Sequence, residues 1–405
     1  MIKKSDLETV IHLQKERFLK STDEIERELL QLLPLSLSNH ALIISGVRRC
    51  GKSTLIKQLV NQEPSDAFYI NFDTPKLYEF EINDFEVLDQ IIYTANPKKL
   101  YFDEIQVVLG WELYVRQKLD EGYQVLVTGS NASLLSKELG TKLTGRHITK
   151  ELFPFSYVEF IRFKKIESGI DSFRSYFRLG GFPEYVKHES PEILTSLFDD
   201  ILFRDIAVRH GVRDVKSLQR LLLYLVANVG SLITATRLAT LLGIKSSATV
   251  LDYLSYFEQS WILGLLPKFS WSYRARLVNP RKVYIIDNGL VNAVSPSFSE
   301  NNGRKLENCI YWFLRQKQKE IFYFNETGHE CDFVTFKNNK VEEVIQVCYH
   351  LEPENRAREE NGLLAAMDFF NLNNGTIITM DQSDIIQIGE KRINVIPAYK
   401  FSEAV

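Results

Sequence analysis

The residues that could do chemistry are densest near the start of the chain, in Gly46-Val47-Arg48-Arg49-Cys50-Gly51-Lys52-Ser53-Thr54. An apolar run, Leu42-Ile43-Ile44, precedes them, and the helical pattern Leu55-Ile56-Lys57-Gln58-Leu59 follows. G-x-x-x-x-G-K-S between a strand and a helix is the phosphate-binding loop of nucleoside triphosphatases. Gly46 and Gly51 let the backbone turn so that successive N–H groups face phosphate oxygens. Lys52 is placed to reach the β- and γ-phosphates, and Ser53 to put its hydroxyl on Mg²⁺. The helix that follows adds the positive end of its dipole. The expected ligand is ATP or GTP.

Further along, Lys99-Leu100-Tyr101-Phe102-Asp103-Glu104-Ile105 is an apolar run that ends in two acids. Asp103 is expected to hold the Mg²⁺ shell, and Glu104 to act as general base on the attacking water. An extra strand, Phe68-Tyr69-Ile70-Asn71-Phe72-Asp73, and the second acid fit AAA-type ATPases. The Asn-Lys-x-Asp motif of GTPases is missing, so ATP is the expected nucleotide. A third strand, Tyr123 to Asn131, ends in Ser130 and Asn131. Either could bind the lytic water or γ-phosphate, and either could simply cap a following helix. Arg146 could stabilise charge on the transferred phosphoryl group, in its own subunit or a neighbour's, or could be a surface residue. Arg204 and Arg209 are second choices for a phosphate sensor. Cys50, beside Arg49 and a helix start, is expected to carry an acidified thiol.

These side chains need elements to hold them. Amphipathic helical patterns (Leu7, Val10, Ile11, Leu13) lead into the first strand, and the sheet domain runs over residues 1–165. Residues 166–212 read as a helical lid. Residues 213–295 read as a winged helix: Ser231 to Ile244 and Ser246 to Leu254 form a helix-turn-helix pattern, with strands at Trp261–Leu266 and Lys282–Ile286. If it binds duplex DNA, Lys245, Ser246, Ser247 and Thr249 face the major groove, and Lys268, Arg274, Arg276, Arg281 and Lys282 meet phosphates. The same module could instead contact protein. Residues 296–405 show a helix with Glu307, a strand with Asp332 and a next strand, the layout of restriction-type nucleases. Where E-x-K should stand, the sequence reads Gln346-Val347-Cys348. That loses a carboxylate ligand and an ammonium, so the domain is expected not to cut.

Several of these segments, in this order, resemble a large family of prokaryotic AAA-type ATPases whose C-terminal half is a domain of unknown function. They are the phosphate loop, Phe102-Asp103-Glu104-Ile105-Gln106, Thr128-Gly129-Ser130-Asn131, Leu143-Thr144-Gly145-Arg146, and Phe153-Pro154-Phe155-Ser156-Tyr157-Val158-Glu159-Phe160. The likeness extends through Gly180-Gly181-Phe182-Pro183-Glu184-Tyr185 and Lys282 to Leu290. It implies an ATPase and an architecture, and no pathway.

Composition fits this reading. The chain has 405 residues, 45% of them hydrophobic, enough for two or three domains. A net charge of −3 is no nucleic-acid coat, so any such contact has to be local. Met1-Ile2-Lys3-Lys4 opens on charged residues, unlike a signal peptide, and no apolar run is long enough for a bilayer span. The four cysteines form no C-x-x-C pair, which argues against zinc. The expected protein is cytoplasmic, α/β in class: a P-loop parallel sheet with a helical lid, a winged helix and a nuclease-like domain. Its expected activity is Mg²⁺-dependent ATP hydrolysis driving a conformational switch, on or near DNA. The alternative is a nucleotide-gated protein-interaction switch in signalling or defence, and a homo-oligomer fits either reading.

Overall fold

Apolar runs of five or six residues, each closed by a polar turn, build the first sheet. Its strands are Ala41–Ser45 (β1), Ala67–Asn71 (β2), Lys99–Asp103 (β3), Gln124–Gly129 (β4) and His147–Glu151 (β5), all parallel, in the order β2-β3-β4-β1-β5. The computed structural model describes residues 2–20, 24–35, 37, 39–131, 143, 145–296, 301–326 and 328–404. The chain divides into two compact units, Met1–Phe153 with Gln259–Trp261, and Pro154–Glu258 with Ile262–Val405.

In the first unit β1, β3 and β4 are buried almost throughout, as strands covered on both faces must be. Ile43, Ile70, Phe102 and Val127 from four strands join Phe72, Phe85 and Tyr114 in one core. The helix Lys4–Lys20 adds Leu7 and Val10 to that core, with Ile11 packed against it, three neighbouring positions on one helix face. The sheet order has one chemical consequence. β4 bonds to both β1 and β3, so Thr128 to Asn131 emerge between the loop after β1 and the acids ending β3. β5, with no apolar run of its own, gives no strand signal in the sequence.

The second unit begins with helices at Tyr157–Lys164, Ile170–Leu179, Pro183–His188 and Pro191–Asp199, continued by a wide π-type turn over Asp200–Val208. Helices Val215–Ala227, Ala235–Leu242 and Ser247–Gln259 follow, with Leu232–Ile233 (β6), Leu263–Pro267 (β7) and Arg281–Ile285 (β8) as a small antiparallel sheet. Next come the helix Asn302–Lys317 and a mixed sheet of Ile321–Glu326 (β9), His329–Lys337 (β10), Lys340–Val347 (β11), Asn374–Thr379 (β12), Asp384–Ile388 (β13) and Lys391–Pro397 (β14). Its order is β13-β14-β12-β11-β10-β9, and the helix Pro353–Phe370 packs on β10, β11 and β12. The last two strands carry no sequence expectation. The helix with Glu307, the strand with Asp332 and the strand after it lie where the sequence pattern puts them.

One joint explains several of the segments that carry the family resemblance. Ser156 and Glu159 form a capping box at the start of Tyr157–Lys164. Phe155 N donates to Gly181 O (2.7 Å), and the Asp287 carboxylate accepts from Gly181 N (2.7 Å) and Leu290 N (3.1 Å). A Cβ on Gly181 would lie 2.3 Å from Phe155 O, so only glycine lets these backbones meet.

Candidate nucleotide site

The loop after β1 is shaped by backbone. A Cβ on Gly46 would stand 2.0 Å from Leu152 O, and Gly51 takes a left-handed φ of +104°. The helix Lys52–Gln62 starts at the next residue, so its free N–H groups open toward the loop. Beneath the loop lies Arg27, which the sequence does not advertise. It is 2% exposed, and its guanidinium donates to Cys50 O (2.6 Å) and Phe153 O (2.7 Å). The Cys50 carbonyl of the loop is thereby turned inward, which leaves loop N–H groups for an anion, and the same guanidinium ties the loop to Phe153, two residues past β5.

Lys52 is buried, and its Nζ donates to Gly46 O (3.1 Å) and Val47 O (3.2 Å) while standing 3.2 Å from Glu104 Oε1. Burial works against the ammonium, but Glu104 and its other negative neighbours prevail and the pKa is raised. Asp103, at the end of β3, is fully buried. Its Oδ2 accepts from Ser53 Oγ (2.6 Å), Asn71 Nδ2 (2.9 Å) and Tyr69 OH (3.0 Å), and its Oδ1 from Thr128 Oγ1. Burial, then Glu104, pushes the Asp103 pKa up despite those donors. Glu104 has a left-handed φ of +51°, a costly conformation for a residue with a side chain, and its N–H donates to Thr128 Oγ1 (2.9 Å). Gln106 Nε2 donates to Glu104 Oε2. Burial acts upward on the Glu104 pKa, but Lys52, Gln106 and Arg48 outweigh it, and the group is held as a carboxylate.

Gly46, Gly51, Lys52, Ser53, Asp103 and Glu104 are therefore brought together, with Val47, Arg48, Arg49 and Cys50 forming the loop between them. Arg48 stands 3.9 Å from Asp73. Ser53 and Thr54, on the helix, line a cavity of about 370 Å³ with Gln14, Tyr69 and Asn71. Ser130 is buried, and among the described residues its Oγ has no hydrogen-bond partner. Asn131, 3% exposed, accepts from Ser45 Oγ (3.4 Å) through its backbone oxygen. A helix capped by either would lie outside the described residues.

Three expectations need correction. Arg146 is not beside the loop. It precedes β5 and accepts from Ala41 N at the start of β1, while its side chain donates to Asn39 O and pairs with Asp120. The phosphate loop leaves the opposite end of β1, roughly 13 Å of strand away, so Arg146 cannot reach a phosphate in its own chain. The Cys50 thiol is not acidified: burial dominates over Lys52 and Arg27 and raises its pKa, and its Sγ donates to Leu152 O (3.3 Å). Of the expected phosphate contacts in the second unit, Lys282 is buried among acids, Lys268 pairs with Glu326 (3.1 Å), and Arg276 donates to Ser270 O and lies 4.8 Å over the Phe322 ring. Ser246 Oγ caps the helix Ser247–Gln259 by accepting from Thr249 N (3.1 Å), and it shares a hydrogen bond with Thr249 Oγ1 (3.0 Å). Lys245 and Ser247 are exposed; Arg204 and Arg209 lie at the π-type turn of the second unit.

A parallel sheet with this loop on one strand and an acid pair on another defines a P-loop nucleoside triphosphatase. Residues 38–161 match the family described as an AAA domain, and residues 170–301 match a domain of unknown function (DUF8612). The chain is 33% identical to the uncharacterized protein MJ1544 of Methanocaldococcus jannaschii, over 99% of this chain and 96% of that one. It is 31% identical to an uncharacterized protein of Haemophilus influenzae, over 83% of this chain and 89% of the relative. The chain belongs to this prokaryotic family, an AAA-type P-loop ATPase domain followed by a domain of unknown function. Among solved structures it is similar to the Aeropyrum pernix Orc1 protein in complex with DNA, with a TM-score of 0.32 and 11% identity over 68% of this chain and 94% of that one. Nothing about function follows from so distant a likeness. No helix among the described residues is long and apolar enough to cross a membrane.

Proposed function

We propose that this chain is a Mg²⁺-dependent ATPase that uses hydrolysis as a conformational switch. The observation that carries the reading is the direct Ser53–Asp103 hydrogen bond (2.6 Å) beside Lys52 and Glu104. A hydroxyl and a buried carboxylate in contact form a hard oxygen donor set of the kind Mg²⁺ takes. Ser53 and Asp103 would hold the ion, which when bound supplies charge neutralisation at the β- and γ-phosphates. The chain's own groups do the rest. The loop N–H groups from Gly46 to Thr54 hold phosphate oxygens. Lys52 leaves the Gly46 and Val47 carbonyls and Glu104 to neutralise charge on the transferred group. That departure removes the strongest influence keeping the Glu104 pKa low, and frees the carboxylate to orient water and accept its proton. Ser130, whose hydroxyl has no hydrogen-bond partner among the described residues, or Asn131 would fix that water or the γ-phosphate. A contribution from Arg146 is left only across a subunit boundary, which would make turnover per chain rise with protein concentration.

Lys52→Ala is expected to abolish tight ATP binding. Glu104→Gln should bind ATP and lose turnover by about a hundredfold or more. Wild-type turnover in Glu104→Gln would sink the assignment.

The proposed organisation is an ATPase domain over 1–165, a helical lid over 166–212, a winged helix over 213–295 and a nuclease-like domain over 296–405 that does not cut. For the winged helix, a protein partner is favoured over DNA. Three of the five expected phosphate contacts are used internally, while Trp271, Tyr273, Leu277 and Val278 between β7 and β8 are exposed. Titrating a DNA duplex at several salt concentrations, with and without ATP, separates the two. Affinity that falls steeply with salt and responds to ATP would restore the DNA reading.

A further inference from the structure

The second unit contains a buried ion cluster whose central group is Lys282 of β8. Its side chain is 3% exposed, and its Nζ stands 2.9 Å from Glu307 Oε1, 2.8 Å from Asp332 Oδ1 and 2.8 Å from Glu330 Oε1. Of the three N–H donors of an ammonium, two are given to Glu307 Oε1 and Asp332 Oδ1, and Glu330 Oε1 faces the same charge as an ion pair. The carboxylates come from separate elements, Glu307 from the helix Asn302–Lys317, Asp332 and Glu330 from β10. They are themselves oriented. Tyr284 OH donates to Glu307 Oε1 (2.6 Å), Val347 N donates to Asp332 Oδ2 (2.9 Å), and the β9–β10 register shifts between Cys331 and Val334, a bulge that includes Asp332.

Oxygen donors converging from different elements on one cationic centre, with buried hydrogen bonds fixing their directions, are how a protein holds a hard divalent ion. The distances around Lys282 are those of N–H···O bonds, a few tenths of an ångström longer than metal–oxygen bonds. The cluster forms the floor of a polar cavity of about 840 Å³ that also reaches Gln346 and Glu359. Gln346 donates to Glu359 Oε2 (2.7 Å) and Arg358 pairs with the same carboxylate, so the next acid outward is also satisfied from within the chain. Among the described residues no three acids, histidines or cysteines are grouped to hold a metal; at this cluster an ammonium stands at the point where they converge.

We propose that the Lys282 ammonium occupies the position of a divalent cation, so that Glu307, Glu330 and Asp332 are a latent metal site plugged by the chain itself. Removing the ammonium leaves three carboxylates facing one another, and a hard divalent ion is the species that relieves their repulsion. The inference depends on neither nucleotide binding nor DNA, and its test uses neither, so it can fail while the ATPase reading stands.

The test is Mn²⁺ binding by calorimetry to the full chain without nucleotide, comparing wild type, Lys282→Ala and Lys282→Ala/Asp332→Asn. Lys282→Ala should bind about one ion per chain more than wild type, and the double variant should lose it. Mn²⁺ should raise the melting midpoint of Lys282→Ala more than that of wild type. Lys282→Met, which keeps the apolar stem, serves if the alanine variant is poorly folded. If both fold only when refolded with Mn²⁺, that rescue is the expected result in another form. Two results overturn the proposal: no additional ion and no Mn²⁺ rescue in either Lys282 variant, or an ion already bound to wild type and lost on Asp332→Asn.

Discussion

Arg27 shows how far a single side chain can set the properties of a loop it never enters. Its two hydrogen bonds, one to the Cys50 carbonyl of the loop and one to Phe153 O, are charge-assisted and buried, each of a kind that contributes about 1.5–3 kcal/mol. Arg27→Ala should lower unfolding stability by about 3 kcal/mol and weaken nucleotide binding more than a distant destabilising substitution does. Arg27→Lys should rescue little, because a compact ammonium does not present the planar fork that spans two carbonyls. Denaturant unfolding and nucleotide titration of both variants check this; wild-type affinity in Arg27→Ala would remove its role in the loop. The contrast with Lys52 explains what was legible in the sequence. Gly46 to Thr54, and Asp103 with Glu104, are contiguous motifs whose chemistry follows from spacing. Arg27, Tyr69 and Asn71 act on those motifs from elsewhere in the chain, and nothing in their local sequence marks it. Arg146 misled for the reciprocal reason: proximity to β4 in sequence does not show that it precedes β5, at the wrong end of the sheet.

Elements were legible where an apolar stripe or run is clear, as in the helix Lys52–Gln62 and in β1, β3 and β4. They were not where a strand is half-exposed, as β5 and β13 are. The Asp287 joint is an element-scale feature with a pH signature. Burial pushes the Asp287 carboxyl up to about 6, against the N–H groups of Gly181, Leu290 and Gly289, from an ordinary value of 3.8. The folded protein therefore binds this proton more tightly than the unfolded chain. The contribution is most favourable below about pH 4 and is lost as pH rises through about 6, a span worth about 3 kcal/mol. Asp287→Asn cannot ionise, so its stability measured between pH 4 and 7 should lack that fall relative to wild type. Identical pH slopes in the two proteins would show that Asp287 does not titrate in this window. The glycines of this joint read in sequence as family signature alone; the structure gives them a packing reason.

At the scale of the whole molecule, the two-unit division agrees with no single boundary in the sequence, since Gln259–Trp261 group with the first unit. Hydrophobic patterning reports which face of an element is buried and is silent on which neighbour buries it, so Lys282 could be read as a wing cation and found in a closed ion cluster. The four cysteines give a way to follow the units separately. All are free and buried, Cys50 in the first unit and Cys309, Cys331 and Cys348 in the second. A thiol that is sealed in the native state reacts only when its surroundings open, so the labelling rate of each cysteine is a clock for the opening of its own unit. In native buffer all four should react far more slowly than in denaturant. MgATP should slow Cys50 by stabilising the state that binds it, and leave the other three unchanged unless the ligand also steadies the second unit. Mass spectrometry of a timed alkylation reads all four at once, and fast native labelling of Cys50 would contradict its burial. The chain thus carries a stopwatch for each half, with no probe added.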